Sequence, residues 1–205
     1  MIIGLIGQKR VGKDTVAAII KEFDNEYKCM ALADPIKDVA RIMFNFSEKQ
    51  LYEAEKDEID AKWKIKPREF FEQFGTDIMQ FDIYKYLPAL ADTVPQRKFW
   101  VMSLLSKITK NDKIIITDVR GQHELEEIRK FNPNAIFIRI VRPIISTQPT
   151  QPTQPTQPTQ PTHITQLEPN HISDEFITET IINDGTIDEL RRQIKKIYDS
   201  IILSH

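Results

Sequence analysis

Seven residues near the start of the chain, Gly7-Gln8-Lys9-Arg10-Val11-Gly12-Lys13, have the spacing G-x-x-x-x-G-K. They follow a short apolar run and open a helical pattern, the context in which this spacing forms a phosphate-binding loop. In such a loop the backbone N–H groups turn inward, and the helix N-terminus behind them adds positive potential. Lys13 would then reach the β and γ phosphates of a nucleotide. The next residue is Asp14, where a Ser or Thr is usual, and Thr15 follows. A carboxylate beside a polyphosphate is repelled unless a cation lies between them. Asp14 is therefore a candidate magnesium contact, directly or through water, or a group that orients an acceptor. Thr15 reads equally as a plain helix residue or a first-turn cap.

Two arginines could meet a second anion. Arg68 follows Pro67, which suits a first helical position, and its planar fork can grip a phosphate in a bidentate way. Arg120 lies just past the strand Lys113 to Thr117, where open α/β sheets place their sites. Asp118, beside it, could hold magnesium through water, fix a sugar, or pair locally with Arg120. His123, His163, His171 and His205 show no metal-ligand spacing.

The elements that must position these groups alternate. Strands are expected at Ile2 to Ile6, Tyr27 to Leu32, Lys113 to Thr117, Ala135 to Val141 and, more weakly, Phe176 to Ile182. Helices are expected at Thr15 to Phe23 and from Pro35, with Ile36, Val39, Ala40 and Met43 on one face. Others start at Pro67, with Phe70, Phe71, Phe74 and Ile78 at helical spacing, and span Lys98 to Thr109 and Glu124 to Lys130. The last covers Thr186 to Ile202, with Ile187, Leu190, Ile194, Ile197 and Ile201 aligned. Glu53 to Lys66 is charged, has little periodicity, and reads as a surface helix or connection. Pro88 and Pro95 bracket a loop. This alternation argues for an α/β fold with a parallel sheet covered on both faces.

The chain has 205 residues, enough for one domain with a sizeable core. A formal net charge of −2, from 28 basic and 30 acidic side chains, gives no general field for a nucleic acid polymer. Cys29 is the only cysteine and is expected in the core. The apolar N-terminus, Met1 to Ile6, lacks the length and flanks of a signal peptide. No apolar run approaches the roughly 20 residues that cross a membrane. One stretch belongs to no element: Thr147 to Pro161 is Thr-Gln-Pro five times over. Proline at every third position favours polyproline II or disorder and reads as an exposed insertion.

Taken in order, these segments resemble the deoxynucleoside monophosphate kinase family of bacteriophages and large DNA viruses. Animal phosphomevalonate kinase is similar at a greater distance. The likeness rests on Gly-Lys-Asp-Thr in the loop, Ala33-Asp34-Pro35-Ile36-Lys37, Pro67-Arg68-Glu69, Phe74-Gly75-Thr76-Asp77 and Trp100. It continues through Thr117-Asp118-Val119-Arg120, His171-Ile172-Ser173-Asp174 and Ile182-Asn183-Asp184-Gly185-Thr186. It implies a three-layer P-loop nucleoside monophosphate kinase fold, with the repeat inserted in the lid region. It also implies transfer from ATP, with Mg2+, to a deoxynucleoside monophosphate. A cytoplasmic protein follows, in the host's cytoplasm if viral, and a homodimer is compatible.

By that likeness the nucleotide loop is Gly7, Lys9 to Thr15, and the adenine contacts are Asn183 and Gly185, although a tight turn explains the latter pair equally. The catalytic group is Lys13, Asp14, Arg120 and Arg142, the last closing the fourth strand. The acceptor set is Asp34, Lys37, Arg68, Gly75, Thr76, Trp100, Asp118 and Arg120, with Asp14 and Asp118 for the metal. Asp34 reads equally as a helix cap, Thr76 as a buried hydroxyl and Trp100 as core. Val11 and Asp174 depart from residues usual in the family. The lid region carries no Arg or Lys from Pro143 through Glu175. Rival readings are a kinase of another small phosphorylated acceptor, such as phosphomevalonate or dephospho-coenzyme A, a nucleotide-gated binding protein or hydrolase, and an inactive relative.

Overall fold

The computed structural model describes residues 1–143 and 172–202. The Thr-Gln-Pro repeat and the lid reading placed on it lie outside the described residues, as do His163, His171 and His205. Among the described residues five strands form one parallel sheet: β1 (Ile2–Ile6), β2 (Lys28–Met30), β3 (Ile114–Val119), β4 (Ile136–Val141) and β5 (Glu179–Ile182), in the order β2-β3-β1-β4-β5.

Side chains alternate across β1, and both of its faces are covered. Ile3 and Leu5 join Ile115, Ile136, Ile138 and Ile140 beneath two helices, α1 (Lys13–Phe23) and α8 (Ile187–Ile197). Ile2 and Ile6 point the other way, with Ile114, Ile116 and Phe137. That face is covered by α6 (Phe99–Leu105) and α7 (Gln122–Phe131). This explains why β1 reads as an unbroken apolar run. Each fully buried isoleucine contributes about 1.5–3 kcal/mol, so the middle of the sheet is the rigid base of the molecule.

The remaining elements lie between the second and third strands. They are α2 (Asp34–Phe44), α3 (Glu48–Tyr52), a 3-10 turn (Ala54–Asp57), α4 (Pro67–Glu72), a π-helical stretch (Gln73–Asp82), α5 (Ile83–Tyr86) and a second 3-10 turn (Pro88–Asp92). Ala40, Phe46 and Leu51 make a small core of their own, flanked by Phe44, Phe70 and Phe71. Phe44, Phe70, Phe74 and Trp100 form a continuous row of ring contacts that ties this unit to the main core.

Adjacent strands β1 and β3 send their chains in opposite directions. The path from β1 runs through α1 to β2, beyond β3, and the path from β3 runs through α7 to β4, beyond β1. Such a divergence opens a crevice at the C-terminal ends of the two strands, the usual place for a ligand in this class of sheet. Across that end, Gly4 pairs with Ile116 but Ile6 with Val119, so β3 carries one extra residue there. A bulge of this kind re-aims a side chain beside a site, and it involves Thr117 and Asp118.

Several expectations change. Cys29 is exposed, because β2 is a short edge strand and only one neighbour covers it. Met43 is 58% exposed, since α2 buries only Ile36 and Ala40. Ile78 is 41% exposed and Ile187 51% exposed. The N–H of Ile83 donates to the carbonyl of Ile78, five residues back, and this wider winding rotates Ile78 off the face that its spacing implied. Phe176 lies in a 3-10 turn (Asp174–Phe176) before β5 begins at Glu179. The final helix changes to π winding over Tyr198–Ile202. No helix among the described residues is long and apolar enough to cross a membrane.

Candidate functional site

The G-x-x-x-x-G-K loop leaves β1 at Gly7 and enters α1 at Lys13. Gly12 has φ 102°, a left-handed conformation that a side chain strains, and it sits at the N-cap of α1. Lys13 folds back over the loop. Its Nζ donates to the carbonyl oxygens of Gly7 at 2.8 Å and Gln8 at 2.7 Å. Val11 is buried and joins the core beneath α1, anchoring the loop. Asn183 supports it from behind: Nδ2 donates to the Val11 carbonyl at 2.8 Å. Gly185 precedes the Thr186–Glu189 capping box of α8. Neither Asn183 nor Gly185 lines the cavity described next, nor do Val11, Gly12, Thr15 and Arg142, the last exposed just past β4.

A cavity of about 1500 Å³ opens in front of the loop. It brings together Gly7, Lys9, Arg10, Lys13 and Asp14 on one side with Asp34, Lys37, Arg68, Gly75, Thr76, Trp100, Asp118 and Arg120 on the others. Most of the expected site therefore converges, although its parts span more than a hundred residues of sequence. The volume exceeds the roughly 300–1000 Å³ of a pocket for one small ligand.

Gly75 and Trp100 close the far wall. A Cβ on Gly75 would meet Ile36 Cδ1 at 2.7 Å, so glycine permits α2 and the π stretch to approach closely. Trp100 is buried, and its indole Nε1 donates to the Gly75 carbonyl at 2.5 Å. Its ring packs edge-on to Phe99. Thr76 is buried alongside. Lys37 lies 4.1 Å from the centre of the Tyr52 ring and 4.0 Å from Asp34 Oδ1. Asp34 also accepts from the Ala31 N–H at 2.8 Å.

The bulge in β3 turns Asp118 toward the end of β2. Its two oxygens accept from the backbone N–H groups of Leu32 at 2.7 Å and Ala33 at 3.1 Å. Burial raises its carboxyl above the usual carboxylate range, and those two donors oppose only part of the rise. Both oxygens are engaged in shaping the turn into α2. Asp14 differs: it is an exposed carboxylate in the first turn of α1, facing the cavity. Of the two expected metal contacts, Asp14 has the better fit to a magnesium ion carried by a nucleotide. Among the described residues no cluster of three or more His, Cys, Asp or Glu could hold a metal by itself.

Three groups in the site carried no signal in the sequence. Asp57 ends the 3-10 turn after α3 and takes the Arg68 fork: Arg68 Nε donates to Asp57 Oδ1, and an Arg68 terminal nitrogen donates to Oδ2 at 3.1 Å. Lys56, its neighbour, also lines the cavity. Glu124, at the third position of α7, turns back to accept from the N–H groups of Arg120 at 2.7 Å and Gly121 at 3.0 Å, which fixes the backbone that carries Arg120. Burial pushes the Glu124 carboxyl up to about 7. Asp57 and Glu124 sat in stretches with no motif, and the Asp57 partner Arg68 lies 11 residues away.

The charge balance of the cavity is positive. Burial lowers Lys9, Lys13 and Lys56, and neighbouring cations lower them further: Arg68 acts on Lys9, Arg120 on Lys13, and Lys9 on Lys56. The Arg68 guanidinium in turn holds Asp57 below the usual carboxylate range. Cations that destabilise one another across a cavity form a site for a polyanion. His123, buried beside Arg97 and Lys98 and pushed down to about 4, is neutral and takes no part in that field.

The family model described as deoxynucleotide monophosphate kinase matches residues 1–62 and 42–194. A protein of Acanthamoeba polyphaga mimivirus, named "Putative deoxynucleotide monophosphate kinase", is 28% identical over 152 residues, covering 72% of this chain and 77% of its own. Among solved structures, the crystal structure of TT1252 from Thermus thermophilus aligns over 98% of this chain and 97% of its own, at 16% identity and a TM-score of 0.42. With a family match across most of its length, and a loop, sheet and cation-lined crevice of the kind a nucleotide kinase needs, the chain belongs to the deoxynucleotide monophosphate kinase family.

Proposed function

We propose that this protein transfers the γ-phosphoryl group of ATP to a deoxynucleoside monophosphate, giving a deoxynucleoside diphosphate and ADP. The observation that carries the reading is that Lys13 and Arg68 line one cavity, whose volume exceeds that of a pocket for a single small ligand. The phosphate loop takes the donor, and the α4 side takes the acceptor.

Little covalent help is needed. The acceptor phosphate oxygen is already ionised near neutral pH, so no strong base is required. It attacks the γ phosphorus as the bond to the β–γ bridging oxygen breaks, and the electron pair leaves on ADP. Rate enhancement comes from alignment and charge stabilisation. On nucleotide binding, Lys13 exchanges the Gly7 and Gln8 carbonyls for phosphate oxygens. Arg68 holds the acceptor phosphate, and Arg120, set by Glu124, adds charge at the end of β3. Asp14 would hold magnesium, directly or through water, and a bound magnesium ion would supply charge neutralisation to the nucleotide phosphates.

Product detection with ATP, magnesium and each natural deoxynucleoside monophosphate tests the proposal. Diphosphate formed only in the presence of acceptor supports it. Hydrolysis independent of acceptor, or transfer only to phosphomevalonate or dephospho-coenzyme A, overturns it.

A further inference from the structure

Asp57 stands at an unusual meeting point. The Arg68 fork closes on both of its oxygens, and Lys9 Nζ from the phosphate loop comes to 4.0 Å of Oδ2. Lys56 feels the same cluster: Lys9 and Arg68 lower it and Asp57 raises it. One cation from the donor side, one from the acceptor side and one from the connecting turn thus converge on a single carboxylate. The Asp57 side chain remains about half exposed. It is carried by a short turn in which Glu58 N–H bonds to the Glu55 carbonyl at 3.1 Å.

A bidentate guanidinium recognises a carboxylate and a phosphate by the same two parallel hydrogen bonds. The two anions therefore compete for one fork. Resting on the kinase reading above, we propose that Asp57 is an internal surrogate for the acceptor's phosphate. It occupies the Arg68 fork in the empty site and is displaced when a phosphate monoester arrives. The surrogate keeps Lys9, Lys56 and Arg68 from facing one another unneutralised. It also sets a threshold for entry. A phosphate monoester, with charge near −2 at neutral pH, outcompetes a single carboxylate, whereas a nucleoside without phosphate does not.

The rival reading makes Asp57 a permanent clamp that orients Arg68 for the acceptor. The two readings differ in sign. With inorganic phosphate as the probe, calorimetric titration of the full chain is expected to show that Asp57→Asn binds roughly threefold or more tighter than wild type, since a competing charge-assisted contact is gone. The gain is expected to vanish in the Arg68→Ala background. Asp57→Ser, smaller and also uncharged, is expected to show the same gain and serves if Asp57→Asn does not fold. Weaker or unchanged phosphate binding in the folded variants overturns the proposal in favour of the clamp. A gain that persists without Arg68 overturns it as well, because charge removal alone would then explain the effect. The titration does not depend on turnover. A chain that transfers no phosphoryl group yet shows the Arg68-dependent gain would refute the kinase reading and leave the surrogate standing, and the reverse result would do the opposite.

Discussion

Asn183 Nδ2 lies 2.8 Å from the carbonyl oxygen of Val11, so the segment after β5 holds the Gly7–Lys13 loop from behind. The same Nδ2 would sit 2.5 Å from a Cβ placed on Gly12, which makes the asparagine and the glycine a fitted pair. Asn183→Ala leaves the Val11 carbonyl without this donor and frees the loop to sample other shapes. One hydrogen bond of this kind contributes about 0.5–1.5 kcal/mol, so the KM for ATP is expected to rise roughly 2- to 10-fold. The acceptor KM is expected to change less. Steady-state kinetics with each substrate varied separately will show it, and an unaltered ATP KM would mean that the contact only stitches the fold.

Lys13 is the charge nearest the transferring group in the proposed reaction. Lys13→Ala is expected to lower turnover by more than about 100-fold. Its two bonds to Gly7 and Gln8 are local, so thermal unfolding should change little. Near-normal turnover in the folded variant would sink the assignment of the loop.

Arg68→Ala removes the fork and leaves Asp57 with Lys9 as its nearest cation. The acceptor KM is expected to rise about tenfold or more, the loss of a charged hydrogen-bonded contact, with a smaller effect on ATP. Equal effects on both substrates would place Arg68 outside the acceptor site.

Glu124 predicts a pH dependence of stability. Its carboxyl, ordinarily near 4.5, is raised to about 7 in the folded protein. Between those values the folded state keeps a proton that the unfolded chain releases. Its contribution to stability is therefore lost as pH rises from about 4.5 to 7 and stays lost above. At 1.36 kcal/mol per unit, the loss is at most about 3 kcal/mol. Glu124→Gln keeps a carbonyl for the Arg120 and Gly121 N–H groups and removes the titration. Urea unfolding at pH 5 and pH 8 should show the wild type losing more stability than the variant over that range. Parallel losses would show that the Glu124 proton is not held.

The centre of the fold was legible because it obeys local rules. A strand covered on both faces must be apolar throughout, and Ile2–Ile6 is; a loop that turns into α1 needs Gly12 where φ is positive. Cys29 was misjudged because nothing in Lys28–Met30 announces that its strand lies at an edge. The spacing of Phe70, Phe74 and Ile78 is that of an α-helix, and only the hydrogen bond from Ile83 to Ile78 shows the wider winding. The residues proposed for the acceptor side could be picked out in the sequence by type, but their partners could not. Arg68 was identifiable as an anion-binding arginine, yet the carboxylate it holds came from a stretch whose charges looked solvated. Asp118, read as a metal or sugar contact, spends both oxygens on N–H groups 85 and 86 residues away, a distance that no local pattern spans.

The position of β1 also governs how the chain can fold as it is made. Ile3 lies in the first strand, yet its partners across the sheet are Ile115 and Ile136. The central strand of the sheet is made well before either of its partners. At about 5–20 residues per second, a ribosome needs roughly 7–27 s to pass from Ile6 to Val141. Until Val119 has been made both edges of the strand lack their partners, and until Val141 one of them still does, although α1 can shield one face. Ribosome-arrested chains are therefore expected to become protease-resistant only after Val141 has emerged, with no stable intermediate built on β1 and α1 alone. The residues that make the nucleotide loop recognisable at the head of the sequence are thus among the last to acquire their working shape.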